Sequence, residues 1–350
     1  MSTTLAPAPS TVGAVASGRT RRAARRRVVV VVLAALVVAG FAASLMVGRT
    51  FYPPGDVLRV VAGQEVAGAS FTVGRLRLPR AVLAVVAGLS FGLAGVTFQT
   101  MLRNPLASPD VIGISTGASA AAAFAIVVLG WSGTAVSLTA IVAALGVALL
   151  IYGLAFTNGV AGTRLILIGI GVAAMSTSAT NYVLSKAGAW GYAEALRWLT
   201  GSLNGTTWAV TVPALVALVV LGPVLLSRAR ELSALQLGDD AASALGVRVE
   251  RTRVVAIVAA VGLIAFATAA CGPIAFVSFL AGPIAARVVG PNGSLLVPAG
   301  FVGALLVLLA DLIGQFALDT RFPVGVVTGV LGAPYLIYLI VRTNRVGGSL

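Results

Sequence analysis

The sequence predicts an all-α polytopic membrane protein of about ten transmembrane helices, and three observations predict it. Hydrophobic residues make up 59% of the 350 positions and charged residues only 10%, where a soluble domain of this length carries roughly 25% charge. The mean hydropathy is +1.03. Apolar runs of about 20 residues, each long enough to cross a bilayer as a helix, recur along the whole chain. The net charge of +14 comes from basic residues clustered beside those runs, which is the signature of membrane orientation rather than of nucleic-acid binding.

The elements follow in order. Residues 1–27 form a Pro/Ala/Ser/Thr-rich tail ending in RTRRAARRR, expected to be a disordered, basic cytoplasmic segment. The first apolar run, 28–48, is longer than the roughly 7–15 residues of a signal-peptide core, so it reads as an uncleaved span. Further spans are expected at 81–100, 111–131, 134–155, 164–184, 206–226, 253–270, 274–289, 295–317 and 323–341. The eighth, 274–289, is short and interrupted by proline and glycine, so a broken or tilted helix is expected there. Residues 28–345 therefore form one transmembrane domain, with 346–350 as a C-terminal tail.

Orientation follows from the arginines. With the N-terminus cytoplasmic, Arg49, Arg59, Arg75, Arg77, Arg80, Lys186, Arg197 and Arg321 fall outside, and the other sixteen of the 24 basic residues fall inside. That excess agrees with the positive-inside rule and places both termini in the cytoplasm. All four tryptophans, Trp131, Trp190, Trp198 and Trp208, then lie near the outer interface, where amphipathic rings favour headgroup depth.

This topology makes 227–252 the longest internal loop, and it holds Glu231, Asp239, Asp240 and Glu250, four of the ten acids. Gly238-Asp239-Asp240 reads as a helix start, because acids in a first turn complement the positive end of the helix dipole. Gly246 reads as its C-terminal cap. So short a helix cannot hold itself together in water. It either folds onto its own protein or docks on a cytoplasmic partner.

The chemistry that is missing narrows function further. There is no histidine, and Cys271 is the single cysteine, so neither a disulfide framework nor a ligand set for free Fe, Zn or Mn ions exists in this chain. Asp311 is the one acid deep in an expected span, either hydrogen-bonded to Gln315 one turn on or serving as a proton relay. No catalytic arrangement is visible. The only lysine lies in LSKAGAW, which is not a phosphate-binding loop, so any ATP-driven motion needs another polypeptide. Gly88 and Gly92, and Gly113 and Gly117, have the GxxxG spacing that permits close helix approach. Gly-Pro-Ile occurs twice, at 272–274 and 282–284.

The segment RLRLPRAVLAVVAGLSFGLAGVTFQTMLRNPLASPDVIGISTGAS at 75–119 resembles the FecCD-type permease subunits of iron–siderophore and vitamin B12 ABC importers. The resemblance continues through WLTGSLNG at 198–205, LGDDAASALGV at 237–247, the block at 272–312 and FPVGVVTGVLGAPYLIYLI at 322–340. It implies a type II importer permease that dimerises around a central pathway, driven by two cytoplasmic ATPase subunits that hold ATP–Mg. It also implies an extracytoplasmic binding protein or lipoprotein that docks outside, in the cytoplasmic (inner) membrane of a bacterium. The chain itself is then expected to bind no cofactor, metal or nucleic acid and to have no ATPase site.

By the same resemblance, Gly238, Asp239, Asp240, Ala241, Ala242, Leu245 and Gly246 form the coupling helix that contacts the ATPase. Arg77 and Arg80 match positions that receive acidic residues of the binding protein, and planar guanidinium groups suit carboxylate capture. A further basic family position is Gln315 here, with Arg321 nearby as a substitute. Gly282-Pro283 stands where many relatives have Pro-His, which is closer to the second permease of ferric-enterobactin-type systems. A heterodimer is thus favoured, with a homodimer as the alternative. The expected cargo is a ferric siderophore, with cobalamin or haem as alternatives. An ion-gradient-driven carrier and a structural scaffold are the readings from other classes.

Overall fold

A computed structural model describes residues 11–110, 112–155, 162–290, 293–317 and 320–347. Each of the ten expected spans has a helix. They are α1 (Thr11–Met46), α3 (Leu78–Met101), α4 (Ile114–Val127), α5 (Thr134–Ala155) and α6 (Gly162–Ser185) in the first half. In the second half they are α8 (Trp208–Ser227), α11 (Val249–Cys271), α12 (Val277–Val289), α13 (Leu296–Phe316) and α14 (Val324–Gly347). The connections add α2 (Pro54–Val61), a π-helical segment at Ser70–Arg77, α7 (Ala189–Leu199), α9 (Ala229–Leu235) and α10 (Asp239–Ala244).

Two differences from expectation have physical causes. Helix α1 begins at Thr11, inside the segment expected to be disordered. Alanine and arginine are strong helix formers, and a helix nucleated in the bilayer propagates into them at little cost. Of that tail, residues 1–10 lie outside the described residues, as do 348–350 at the other end. Not only the eighth span but also the third is broken. Helices α4 and α12 have 14 and 13 residues, about 20 Å each at ~1.5 Å per residue, against a hydrocarbon core of ~30 Å. Irregular backbone at 102–110 and 112–113, and at 272–276, supplies the remaining height, which membranes tolerate only where protein covers it.

Helix α3 is the centre. Its apolar window is 83% buried, whereas that of α6 is 6% buried. Its most extensive contact is with α13, and α11, α12 and α8 surround the rest. Glycine makes that approach possible. A Cβ at Gly88 would lie 2.5 Å from the Gly303 carbonyl oxygen and from the Ala304 Cα. One at Gly92 would strike the Ala299 carbonyl, and one at Gly95 the Ser278 carbonyl. Bare backbone thus meets bare backbone on two sides of α3, the arrangement small residues give in membranes. The first of the two GxxxG spacings seen in the sequence lies on this contact.

Candidate functional site

The chemistry-bearing groups gather at the two ends of the bundle. At the loop end, α9 and α10 fold onto the spanning helices. Leu232 and Leu235 of α9 and Ala242 of α10 are buried together with Leu225, Ala256 and Leu263. Gly238 enters α10 at φ 104° and Gly246 leaves it at φ 84°, conformations that side chains resist. The N–H of Gly246 donates to the Ser243 carbonyl at 2.9 Å and that of Val247 to the Ala242 carbonyl at 3.0 Å. This bond pair is a Schellman closure, and it places Gly246 just beyond the cap.

Of the residues expected to form the coupling helix, Asp240, Ala241, Leu245 and Gly246 are exposed, while Ala242 points into the chain's own core. Leu237 and Leu245 are each about two-thirds exposed, giving the loop two apolar tips. Asp239, 42% exposed, turns toward the spanning helices. Arg253 of α11 donates to its two oxygens at 2.8 and 2.9 Å, and Arg103, two residues past α3, lies 4.0 Å away. Arg103 itself has φ 52°, an uncommon conformation for a residue with a side chain. The loop is thus clamped between the ends of α3 and α11. A second tie runs from Arg228 and Thr252 to Glu231 at 3.0 and 2.6 Å.

At the opposite, Trp-bearing end, a cavity of about 490 Å³ is lined by Arg49, Arg77, Arg80, Asn204, Gln315 and Arg321, among others. All three expected docking arginines are therefore brought together. Their states differ. Arg77 donates to the carbonyls of Leu45, Met46 and Thr50 at 2.8–3.0 Å and lies over the Tyr52 ring at 5.1 Å, fastening the end of α1. Arg321 and Arg49 are exposed. Arg80 is tied to α13: its Nε and Nη2 donate to Asp311 at 2.7–3.2 Å, and its Nη1 donates to the Asn204 side chain at 2.8 Å.

Asp311 also accepts from Gln315 Nε2 at 2.8 Å, the neighbour named from the sequence. The sequence did not reveal Arg80 as its main partner, because 231 positions separate the two. With donors from two side chains, Arg80 and Gln315, and 3% exposure, Asp311 is a paired structural carboxylate, an arrangement that suits a relay poorly.

Two further features escaped sequence reading. Asp110, at the edge of an expected span, accepts from Ser278 at 2.7 Å, Ser108 at 3.2 Å and Ser115 at 2.5 Å. It thereby joins the irregular segment before α4 to the first turn of α12, next to Phe276, which has φ 65°. The second is the uncovered face of α6. Gly171, Ala174, Thr177, Ser178, Asn181 and Ser185 are all exposed and, at 100° per residue, fall on one side of the helix. Exposed Leu167 and Ile170 share that side earlier in the helix, so the face is polar from Thr177 onward, and polar groups on a spanning helix face protein or a water-filled cavity rather than lipid. Period-3.6 polarity on this run was the available signal.

Residues 35–342 match the model of the FecCD transport family. The chain belongs to that family. Ferric enterobactin transport system permease protein FepG of Escherichia coli (strain K12) is 40% identical to it over 293 residues, 83% of this chain and 88% of that protein. Iron(3+)-hydroxamate import system permease protein FhuG of Bacillus subtilis (strain 168) is 36% identical over 88% of this chain and 94% of its own length. Among solved structures, a metal-chelate-type ABC transporter in an inward-facing conformation superimposes with a TM-score of 0.80 at 26% identity, covering 89% of this chain and 98% of that one. FecCD membership and this likeness give the ten-helix architecture, short helices included, as an ABC transporter permease fold.

Proposed function

We infer that this FecCD chain is the permease subunit of an ATP-driven importer and that its cargo is a ferric siderophore. The family match over 35–342 carries the reading, and the cargo follows that of the similar FepG and FhuG as their names give it. A histidine-free chain with one cysteine suits a chelate whose iron ligands come with it rather than a bare ion. The chain works beside a second permease subunit and with two ATPase subunits, one of which binds its α9–α10 loop through Asp240, Ala241, Leu245 and Gly246. Hydrolysis takes place on those subunits.

The termini and the α9–α10 loop face the cytoplasm, and the arginine cavity faces outward. An acidic binding protein docks on the rim formed by Arg77, Arg80 and Arg321. Arg77, committed to carbonyls, holds the rim in shape, and Arg80 and Arg321 present charge. The polar face of α6 forms part of the route between the two permeases.

Uptake of radiolabelled iron bound to siderophores, measured in cells lacking the gene and complemented with it, tests the reading. Import should return with the intact chain and need a P-loop ATPase partner. Import that persists without any ATPase, driven by an ion gradient, would overturn it. Asn181→Leu makes the α6 face apolar at an exposed site. It is expected to lower import at least ~5-fold at unchanged membrane abundance, since a desolvated polar route depends on such groups. Unchanged import would remove α6 from the pathway.

A further inference from the structure

A carboxylate faces an arginine at each end of α3, tightly at one and loosely at the other, where Arg103 and Asp239 are 50% and 42% exposed. Asp311 of α13 holds Arg80 in the first turn, with Arg80 only 18% and Asp311 3% exposed. Asp239 lies 4.0 Å from Arg103 just past the last turn, held by Arg253 of α11 at 2.8 Å. Between these points α3 is 24 residues long, about 36 Å.

Backbone meets backbone along the middle of that length, with the Leu89 and Leu93 side chains packed on Gly300 between the contacts. Gly88 and Gly92 meet the backbone of Ala299, Gly300, Gly303 and Ala304, and Gly95 meets that of Ser278. Gln99 donates to the Phe279 carbonyl at 3.0 Å. Backbone packed on backbone has no rotamers with which to absorb displacement, so it transmits strain. Helix α6, with 6% of its apolar stretch buried, meets foreign backbone at one end, where Gly169 packs on Ile112 and Gly113 before α4.

We propose that α3 and α13 move as one stiff lever between the arginine cavity and the α9–α10 loop, with Asp311 as the positioning residue at its far end. This rests on the importer reading above, which supplies a binding protein at one end and an ATPase at the other. Asp311 and Asn204 fix the Arg80 guanidinium in one direction, so a carboxylate arriving at Arg80 competes with Asp311 and acts directly on α13. Movement of α10 reaches the same pair through Asp239 and Arg103.

The assembled importer in proteoliposomes, with its ATPase subunits and its chelate-loaded binding protein, provides the test. Two quantities are read: the maximal stimulation of ATP hydrolysis, and the binding-protein concentration giving half of it. Asp311→Asn should cut maximal stimulation roughly 5-fold or more while the half-stimulating concentration holds or falls, because Asp311 no longer competes for Arg80. Asp239→Asn should also cut stimulation, and the double variant should be no worse than the poorer single, because both act on one element. Multiplying losses would overturn the lever. So would an Asp311→Asn variant that changes only the half-stimulating concentration.

Should Asp311→Asn fail to insert, spin labels at Leu76→Cys and Leu237→Cys read the lever without it, since both sites are exposed and Cys271 is buried. Their separation should change by less than ~2 Å between nucleotide-free and ATP-trapped states, and that from Leu76 to a label at Thr177 on α6 by more. A larger Leu76–Leu237 change overturns the proposal. Failure of the importer reading would look different, as an intact protein that loaded binding protein does not stimulate at all.

Discussion

Replacing Gly246 by proline is expected to lower import at least ~10-fold while the spanning bundle remains folded and inserted. The position has φ 84°, and proline locks φ near −65°. Proline also lacks the N–H that donates to the Ser243 carbonyl at 2.9 Å, so the Schellman closure of α10 is lost with the backbone turn. A penalty of about 3 kcal/mol exceeds what a six-residue helix gains from its own hydrogen bonds, so α10 unravels. The damage stays local because nothing lies within 4 Å of a Cβ at this glycine. Leu245 and Asp240 would then present no ordered surface to an ATPase. Gly246→Asn, which tolerates the left-handed conformation, should keep most of the activity. Import assayed alongside membrane abundance separates the outcomes. Normal import with the proline variant would sink the coupling role of α10.

The second large effect belongs to Gly88. An alanine there places its Cβ 2.5 Å from the Gly303 carbonyl oxygen and the Ala304 Cα, and neither atom can rotate away. Overpacking of this kind costs about 3 kcal/mol, and the ~1 kcal/mol that alanine gains over glycine in a helix offsets part of it. The net is a loss of about 2 kcal/mol, visible as a lowered melting midpoint of the purified protein. Gly88→Leu should prevent α3 and α13 from meeting, and folded protein should not accumulate. The same change at Gly146 on α5 has the opposite sign. That glycine has open space around it, so Gly146→Ala should be neutral or stabilise by up to ~1 kcal/mol. A Gly88→Ala protein as stable as the parent would show that the two helices have room to separate.

The ion-gradient reading rested on Asp311, the acid deepest in an expected span. Its geometry gives that carboxylate two donors from Arg80 and one from Gln315. A neutralising partner makes a buried acid structural, whereas a relay needs one that can be left unpaired.

What the sequence by itself determined is the set of properties that depend on local pattern. Ten apolar runs set the spans, arginine asymmetry set the expected orientation, and Gly238-Asp239-Asp240 with Gly246 bounded a short helix that the structure places at Asp239–Ala244. Each of these rests on neighbours within one or two turns, where residue type decides conformation. The family resemblance brought the three rim arginines together, and the cavity lines them up.

Only the tertiary structure decided the pairings across long separations. Arg80 and Asp311 are 231 residues apart, and Asp110 and Ser278 are 168 apart. A carboxylate in a sequence carries no mark of the partner that a helix from elsewhere will bring. The short length of α4 was also hidden, because the apolar residues of an irregular segment buried in protein look like those of a helix, whereas Gly and Pro marked α12. The face of α6 needed the structure for a related reason. Six small and polar positions become a wall only when the neighbouring helices leave that side of α6 uncovered.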